Sequence, residues 1–258
     1  MRVTGNTILI TGGGSGIGLA LGEQFLKLGN KVIVAARSAR KLEVAAEKGF
    51  ERLPVNMSSR ESIESLARTV VSRFPAVNVL IHNAGVMKNE NLRTTNTADI
   101  AVETIATNLT GPMLLTTALL PHLLKQADAT IMTVSSGLAF VPLAMTPTYS
   151  ATKAAIHSYT QSLRYQLQGT SVGVVELVPP YVRTELMGSR QANDPAAMPL
   201  NEYIAEVMDI LKSQPGVTEI LVKRVQPLRF AASEGEAKYG TFLRELNDRL
   251  SAARAKEF

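Results

Sequence analysis

Thr7-Ile8-Leu9-Ile10, followed at once by Thr11-Gly12-Gly13-Gly14-Ser15-Gly16-Ile17-Gly18, is the stretch whose reading decides the fold. A short apolar run ending in glycines suits a parallel strand buried on both faces. Beyond the glycines, Ile17, Leu21, Phe25 and Leu28 recur at helical spacing until Gly29-Asn30, a left-handed stop. Strand, glycine turn and helix form the first half of a βαβ unit. The spacing Gly12-x-x-x-Gly16-x-Gly18 supplies backbone without Cβ, so that a pyrophosphate can approach the turn and face the helix N-terminus. Glycines in a merely tight turn are the alternative; the strand before and the helix after favour phosphate.

Working outward, Lys31 to Ala36 reads as a second strand, about 39–48 as a polar helix and Leu53-Pro54-Val55-Asn56 as a third strand. Ser58 with Glu61 has capping-box spacing for a helix carrying Ile63, Leu66, Val70 and Phe74 that stops before Pro75. Val77 to Ile81 is a strand leading into His82-Asn83-Ala84-Gly85. A long helix over about 101–125 contains Asn108 beside Gly111-Pro112, which predicts a local irregularity. Thr130 to Val134 is a strand, Tyr149 to Gln168 a helix and Val172 to Val178 a very apolar strand. A helix over 199–212, an edge strand over 218–222 and a terminal helix over about 234–256 follow. The alternation predicts an α/β fold: a Rossmann-type, doubly wound parallel sheet of about seven strands with helices on both faces. No Pro/Gly/Ser-rich linker divides the 258 residues, of which 45% are hydrophobic, so one domain over 1–258 is expected.

The chain has no cysteine, and its three histidines are scattered, so no metal site is expected. Its net charge of +5 is dispersed and its aromatics are few, which argues against nucleic acid as a partner. A strand-like run begins after six residues and no apolar stretch of about 18 occurs, so a cytoplasmic protein without a membrane span is expected.

Tyr149 and Lys153 are four apart, which puts phenol and ammonium on one helix face. A nearby ammonium favours the phenolate, so the tyrosine is expected to be lowered from about 10 toward working pH, where it can act as general acid or base. Ser136, at a strand end, could hold a carbonyl or alcohol oxygen. On its own the Tyr/Lys spacing also describes a solvated helix face.

With Ser136 thirteen residues before Tyr149, the glycine turn and Asn83-Ala84-Gly85, the chain resembles the short-chain dehydrogenase/reductase family. The resemblance implies hydride transfer between a nicotinamide cofactor and a carbonyl/alcohol pair. Tyr149 would be the acid, Ser136 would polarise the oxygen, Lys153 would tune Tyr149 and bind the ribose, and Asn108 would hold a water linking Lys153 to solvent. Implied cofactor contacts are Gly12, Gly14, Ser15, Gly16, Ile17, Gly18, Arg37, Asn56, Asn83, Ala84 and Gly85, together with Tyr149, Lys153, Val182 and Thr184. Three positions depart from the family pattern: Asn56 for Asp, accepting from the adenine amino group through its amide oxygen; His82 for Asn, read as structural; and Pro180 for Gly. The phrase Ser136 to Ala144 with the terminal helix resembles the DltE-like branch.

Ala36-Arg37-Ser38 ends the second strand without the acid that would accept ribose hydroxyls, so Arg37 is expected to pair with the 2′-phosphate of NADP(H). Arg40 and Lys41 add to it only if the following helix turns them inward. Residues 185–212 are expected as a substrate lid, 185–198 its mobile part, and Leu138, Phe140, Val141, Leu143 and Met145 as an apolar pocket wall. Apolar stripes (Leu114, Leu115, Leu119; Ala155, Ile156, Tyr159, Leu163) lie on the two helices that pair across a two-fold axis in the family, implying a homodimer or homotetramer. A nucleotide-binding regulator on the same fold is the alternative, but all four catalytic positions are kept. A related epimerase would need a larger C-terminal part.

Overall fold

The computed structural model describes residues 1–93 and 96–253. Strand β1 (Thr7–Thr11) is solvent-free from Ile8 onward, and it lies in parallel between β2 (Lys31–Ala36) and β4 (Val77–His82). With β3 (Glu51–Pro54), β5 (Ala129–Val134), β6 (Val172–Leu177) and β7 (Glu219–Ile220) the sheet has seven strands in the order β3-β2-β1-β4-β5-β6-β7, all paired in parallel. The order reverses between β1 and β4, and doubly wound sheets open a ligand crevice at that point.

Helices cover both faces because each central strand is apolar on both. One face packs α1 (Gly16–Lys27), α2 (Ala39–Glu47) and α8 (Leu200–Ser213) through Leu21, Phe25, Leu42, Tyr203, Val207 and Leu211. The other packs α3 (Arg60–Arg73), α5 (Gly111–Leu123) and α6 (Pro147–Gln166) through Leu66, Val70, Leu115, Leu119 and Leu163. Between α4 (Ala98–Ile105) and α5, residues Ala106–Thr110 form a π turn in which Gly111 N–H bonds Ala106 O. Pro112 has no N–H for the carbonyl of Asn108, four residues earlier, and the helical ladder widens there. Short helices α7 (Ser189–Asn193) and α9 (Gln226–Arg229) precede α10 (Glu236–Ala253). No helix among the described residues is long and apolar enough to cross a membrane.

Several expectations are corrected. β3 begins and ends two residues early, and Ser59 caps α3 through Ser62 N–H, because the Ser58 hydroxyl donates to Asn56 Oδ1. Within the expected lid, helix α8 packs on the core, with Tyr203, Ile204, Val207, Met208 and Leu211 recurring on its buried face, and Thr184 to Met187 and Gln191 line the cleft. The loop after Ser136 is no pocket wall, since Val141, Leu143 and Met145 are buried away from the cleft, and α10 closes over it. Tyr239 donates to Phe140 O at 3.2 Å, and Asn247 donates to Pro142 O and accepts from Ala144 N–H. Of the two helix stripes, Leu115, Leu119, Ile156 and Leu163 face the chain's own core, and only Leu114, Ala155 and Tyr159 remain half-exposed. The terminal helix begins at Glu236, and its expected last turn lies outside the described residues.

Candidate active site

The carboxyl ends of β1, β4 and β5 open into a cleft of about 640 Å³, with the glycine turn at one end and Ser136, Tyr149 and Lys153 at the other. Gly12, Ser15, Gly16 and Ile17 line the first end. Gly12 has φ +67°, and a Cβ there would stand 2.7 Å from Ala84 Cα. Asn83 is the brace: its Nδ2 donates to Thr11 O and Gly12 O, both at 3.1 Å, tying the turn to the end of β4. A Cβ on Gly18 would fall 2.3 Å from that nitrogen, so Gly18 serves helix–strand contact and not the cleft lining. Gly14 likewise lies behind the turn, against Lys41 Cβ.

At the other end, β5 delivers Ser136 just past its last residue, and α6 delivers Tyr149 and Lys153 on one face. Lys153 Nζ donates to Val134 O at 2.7 Å and sits 5.4 Å from the Tyr149 ring centre. Burial pushes the Tyr149 phenol up to about 12, only partly opposed by its hydrogen bond with Ser136. The shift therefore runs opposite to the expected lowering by Lys153, with desolvation of the phenolate as its leading cause. Burial also pushes Lys153 down to about 8, opposed by the charge of Glu176. At neutral pH Tyr149 is a protonated acid. Asn108, at the π turn, accepts from Val86 N–H at 2.8 Å and donates to Val86 O at 2.9 Å and Thr152 Oγ1 at 3.3 Å. A Cβ on Gly85 would lie 3.4 Å from Asn108 Oδ1 and 3.9 Å from Lys153 Nζ, so glycine keeps the space between them open.

Arg37 does not line the cleft: its side chain is 70% exposed and reaches Glu103 Oε1 at 3.7 Å. Glu103 also accepts from Lys88, and that bond leads the two cations in holding its carboxyl below the usual range. Lys41 does line the cleft, with Nζ donating to Ser15 Oγ at 3.1 Å, so α2 turns this cation inward. Asn56 lies off the cleft lining, and its amide oxygen accepts both the N–H and the hydroxyl of Ser58. Val182 and Thr184 line the cleft. The buried Gln191, which carries no signal in sequence, fastens them, donating to Val182 O at 2.8 Å and Thr184 Oγ1 at 3.2 Å. His82 is buried with Nε2 2.8 Å from Thr116 Oγ1, consistent with a structural residue. The histidine–carboxylate group His157, Glu176 and Glu219 has Glu219 occupied by a two-bond contact from Arg229.

The strand-end cleft, the serine and the Tyr/Lys helix face coincide with a family model described as short chain dehydrogenase, which matches residues 6–195. The chain belongs to the short-chain dehydrogenase family. This oxidoreductase is 38% identical over 254 residues to the uncharacterized oxidoreductase DltE of Bacillus subtilis (strain 168), covering 96% of this chain and 98% of the relative. The dehydrogenase also shares its fold with a short chain dehydrogenase from Burkholderia cenocepacia J2315 in complex with NADP (24% identity, TM-score 0.80, 94% of this chain and 99% of the other). A second likeness is to a Burkholderia phymatum short chain dehydrogenase/reductase in complex with NAD (22% identity, TM-score 0.74, 91% and 95%).

Proposed function

We propose that this dehydrogenase transfers hydride between NADP(H) and a carbonyl/secondary alcohol pair with apolar flanks. The observation that carries the reading is the convergence of Ser136, Tyr149 and Lys153 at one end of a cleft whose other end is the glycine turn. The two Burkholderia structures hold NADP and NAD, and the residues present here fit such a group. Gly12 lets the turn close against Ala84, and the turn opens at the N-terminus of α1, which favours phosphate. A bound nicotinamide supplies the hydride. Lys153 would face its ribose, and Val182 and Thr184 its carboxamide end.

For reduction, Ser136 holds the carbonyl oxygen and Tyr149 Oη gives it a proton as charge develops there. The high phenol pKa keeps that proton in place until the oxygen becomes basic. Lys153, as ammonium, stabilises the tyrosinate left behind, and the space beside Gly85 lets a water join it to Asn108. Preference for NADP(H) rests on Lys41 at the cleft with Ser15, on Arg37 close by, and on Ala36 where an acid would repel a 2′-phosphate. Apolar flanks come from Met87, Leu186 and Met187. Assembly as a homo-oligomer is supported by the groove between α5 and α6 lined by Leu120, Leu124 and Tyr159.

NADPH oxidation by the purified protein across a panel of aldehydes and ketones tests the reading. Tyr149→Phe should keep cofactor binding and lose turnover by about 10² to 10⁴. Near-parent rates in the variant would remove Tyr149 as the acid. Cofactor binding without turnover on any carbonyl would favour a regulator.

A further inference from the structure

Beneath the site the fold buries one carboxylate completely, outside the cleft lining. Glu176 of β6 has no solvent exposure and lies beside Thr133 of β5, one residue before Val134, whose carbonyl receives Lys153 Nζ. One turn beyond Lys153 on α6, His157 sets Nδ1 at 2.8 and 3.0 Å from the two Glu176 oxygens. Lys153 and His157 thus reach from one face of α6 to adjacent positions on β5 and β6. A buried carboxylate is costly unless hydrogen-bonded and matched by charge.

Two charged groups of the neighbouring elements face it. The Glu219 carboxylate of β7 lies within 4.8 Å, and Arg229, from α9, is held by Glu219 through bonds of 2.8 and 3.1 Å while its charge also reaches Glu176; the guanidinium lies 4.7 Å over the Phe140 ring, which packs edge-on against His157. Arg164 of α6 gives its N–H groups to Val174 O and Thr218 O. Tyr149 and Tyr159, the latter turned toward Thr116, are the other titratable groups on this part of α6, and the π turn contributes Asn108. Among the described residues no carboxylate is bonded to Lys153, whose ammonium rests on a carbonyl.

We propose that Glu176, bracketed by His157, is a positioning residue that keeps the Lys153 side chain charged and seated on Val134. The inference rests on the reading of Lys153 as part of the reactive site. Burial drives the Lys153 amine down to about 8 while the Glu176 charge opposes it, so removing that charge leaves burial unopposed.

The test reads Lys153 directly. Trace acetylation with acetic anhydride between about pH 6 and 10, followed by peptide mass spectrometry of the full chain, gives the pH at which this amine becomes reactive, whether or not the protein turns over. The pH dependence of kcat/KM for NADPH-driven reduction is measured on the same preparations. In Glu176→Gln the Lys153 midpoint should fall by about one pH unit or more, and the limb of the rate profile should move with it. Glu176→Asp, which restores the charge, should return both toward the parent. If Glu176→Gln does not fold, His157→Leu, which strips the carboxylate of its donor, should move the midpoint the same way by less. A folded Glu176→Gln with an unchanged Lys153 midpoint would overturn the proposal. A shifted midpoint in a protein without turnover on any substrate would uphold it and refute the dehydrogenase reading of the site instead.

Discussion

Acid should destabilise this protein through His82, and the size of the effect follows from its surroundings. The residue ends β4 at 4% exposure, and its Nδ1 has no partner among the described residues. Burial pushes the imidazole from 6.5 down to about 3. The unfolded chain therefore takes up a proton near pH 6.5 that the folded chain refuses until about pH 3. Stability from the neutral ring is complete above 6.5 and is lost as pH falls toward 3. Linkage puts the loss at about 2 kcal/mol between pH 8 and pH 5, rising toward about 5 kcal/mol at lower pH. His82→Asn removes the titrating ring and leaves a carboxamide near the Thr116 hydroxyl. Urea unfolding of both proteins at pH 8 and pH 5, at one protein concentration, isolates the contribution, because any pH-independent cost of the substitution cancels in the difference. The parent should lose about 2 kcal/mol more than the variant. Equal losses in the two proteins would refute the assignment of a neutral, desolvated His82.

Two further outcomes follow from the geometry. Lys41→Ala should weaken NADPH binding by about tenfold or more, with NADH little changed and Arg37→Ala costing less, because Lys41 lines the cleft while Arg37 is exposed and shared with Glu103; fluorescence titration with both cofactors checks this, and a larger loss at Arg37 would reverse the ranking. Glu90, buried at 3% exposure, accepts Thr148 N–H at 3.0 Å and its hydroxyl at 2.7 Å at the start of α6; Glu90→Gln should therefore cost about 1 to 2 kcal/mol in denaturant unfolding, and no change would show that the carboxylate does not anchor that helix.

The inner strands were legible because a parallel strand buried on both faces writes itself as an apolar run, as Ile8-Leu9-Ile10 does, and β6 still reads so through Val172, Val174, Val175 and Leu177 although Glu176 interrupts it. The edges were not. β3 reads Glu51-Arg52-Leu53-Pro54 with only Leu53 buried, so no periodicity marks its limits, and β7 is two residues long. The misplaced substrate wall has a different cause. Apolar residues between Pro142 and Pro147 suit a pocket or a core equally well, and what decides between them is α10, whose Tyr239 and Asn247 come from about a hundred residues away to close over the loop.

Within the site, spacing placed Tyr149, Lys153 and Ser136 together, since one helical turn and one strand end are local rules. It did not bring Lys41 to Ser15, 26 positions away, or Glu103 to Arg37, because those contacts depend on how separate βα units stack against one another. It also misjudged the field. A neighbouring ammonium lowers a phenol only where its attraction exceeds the cost of burying the phenolate, and here both groups are buried, with Tyr149 pushed up to about 12 and Lys153 down to about 8. Burial makes each group's own charged form costlier. A charge behind the pair enters the balance at Lys153, where the group that opposes burial is Glu176, 23 residues further along the chain on a strand that the Tyr/Lys spacing does not reach.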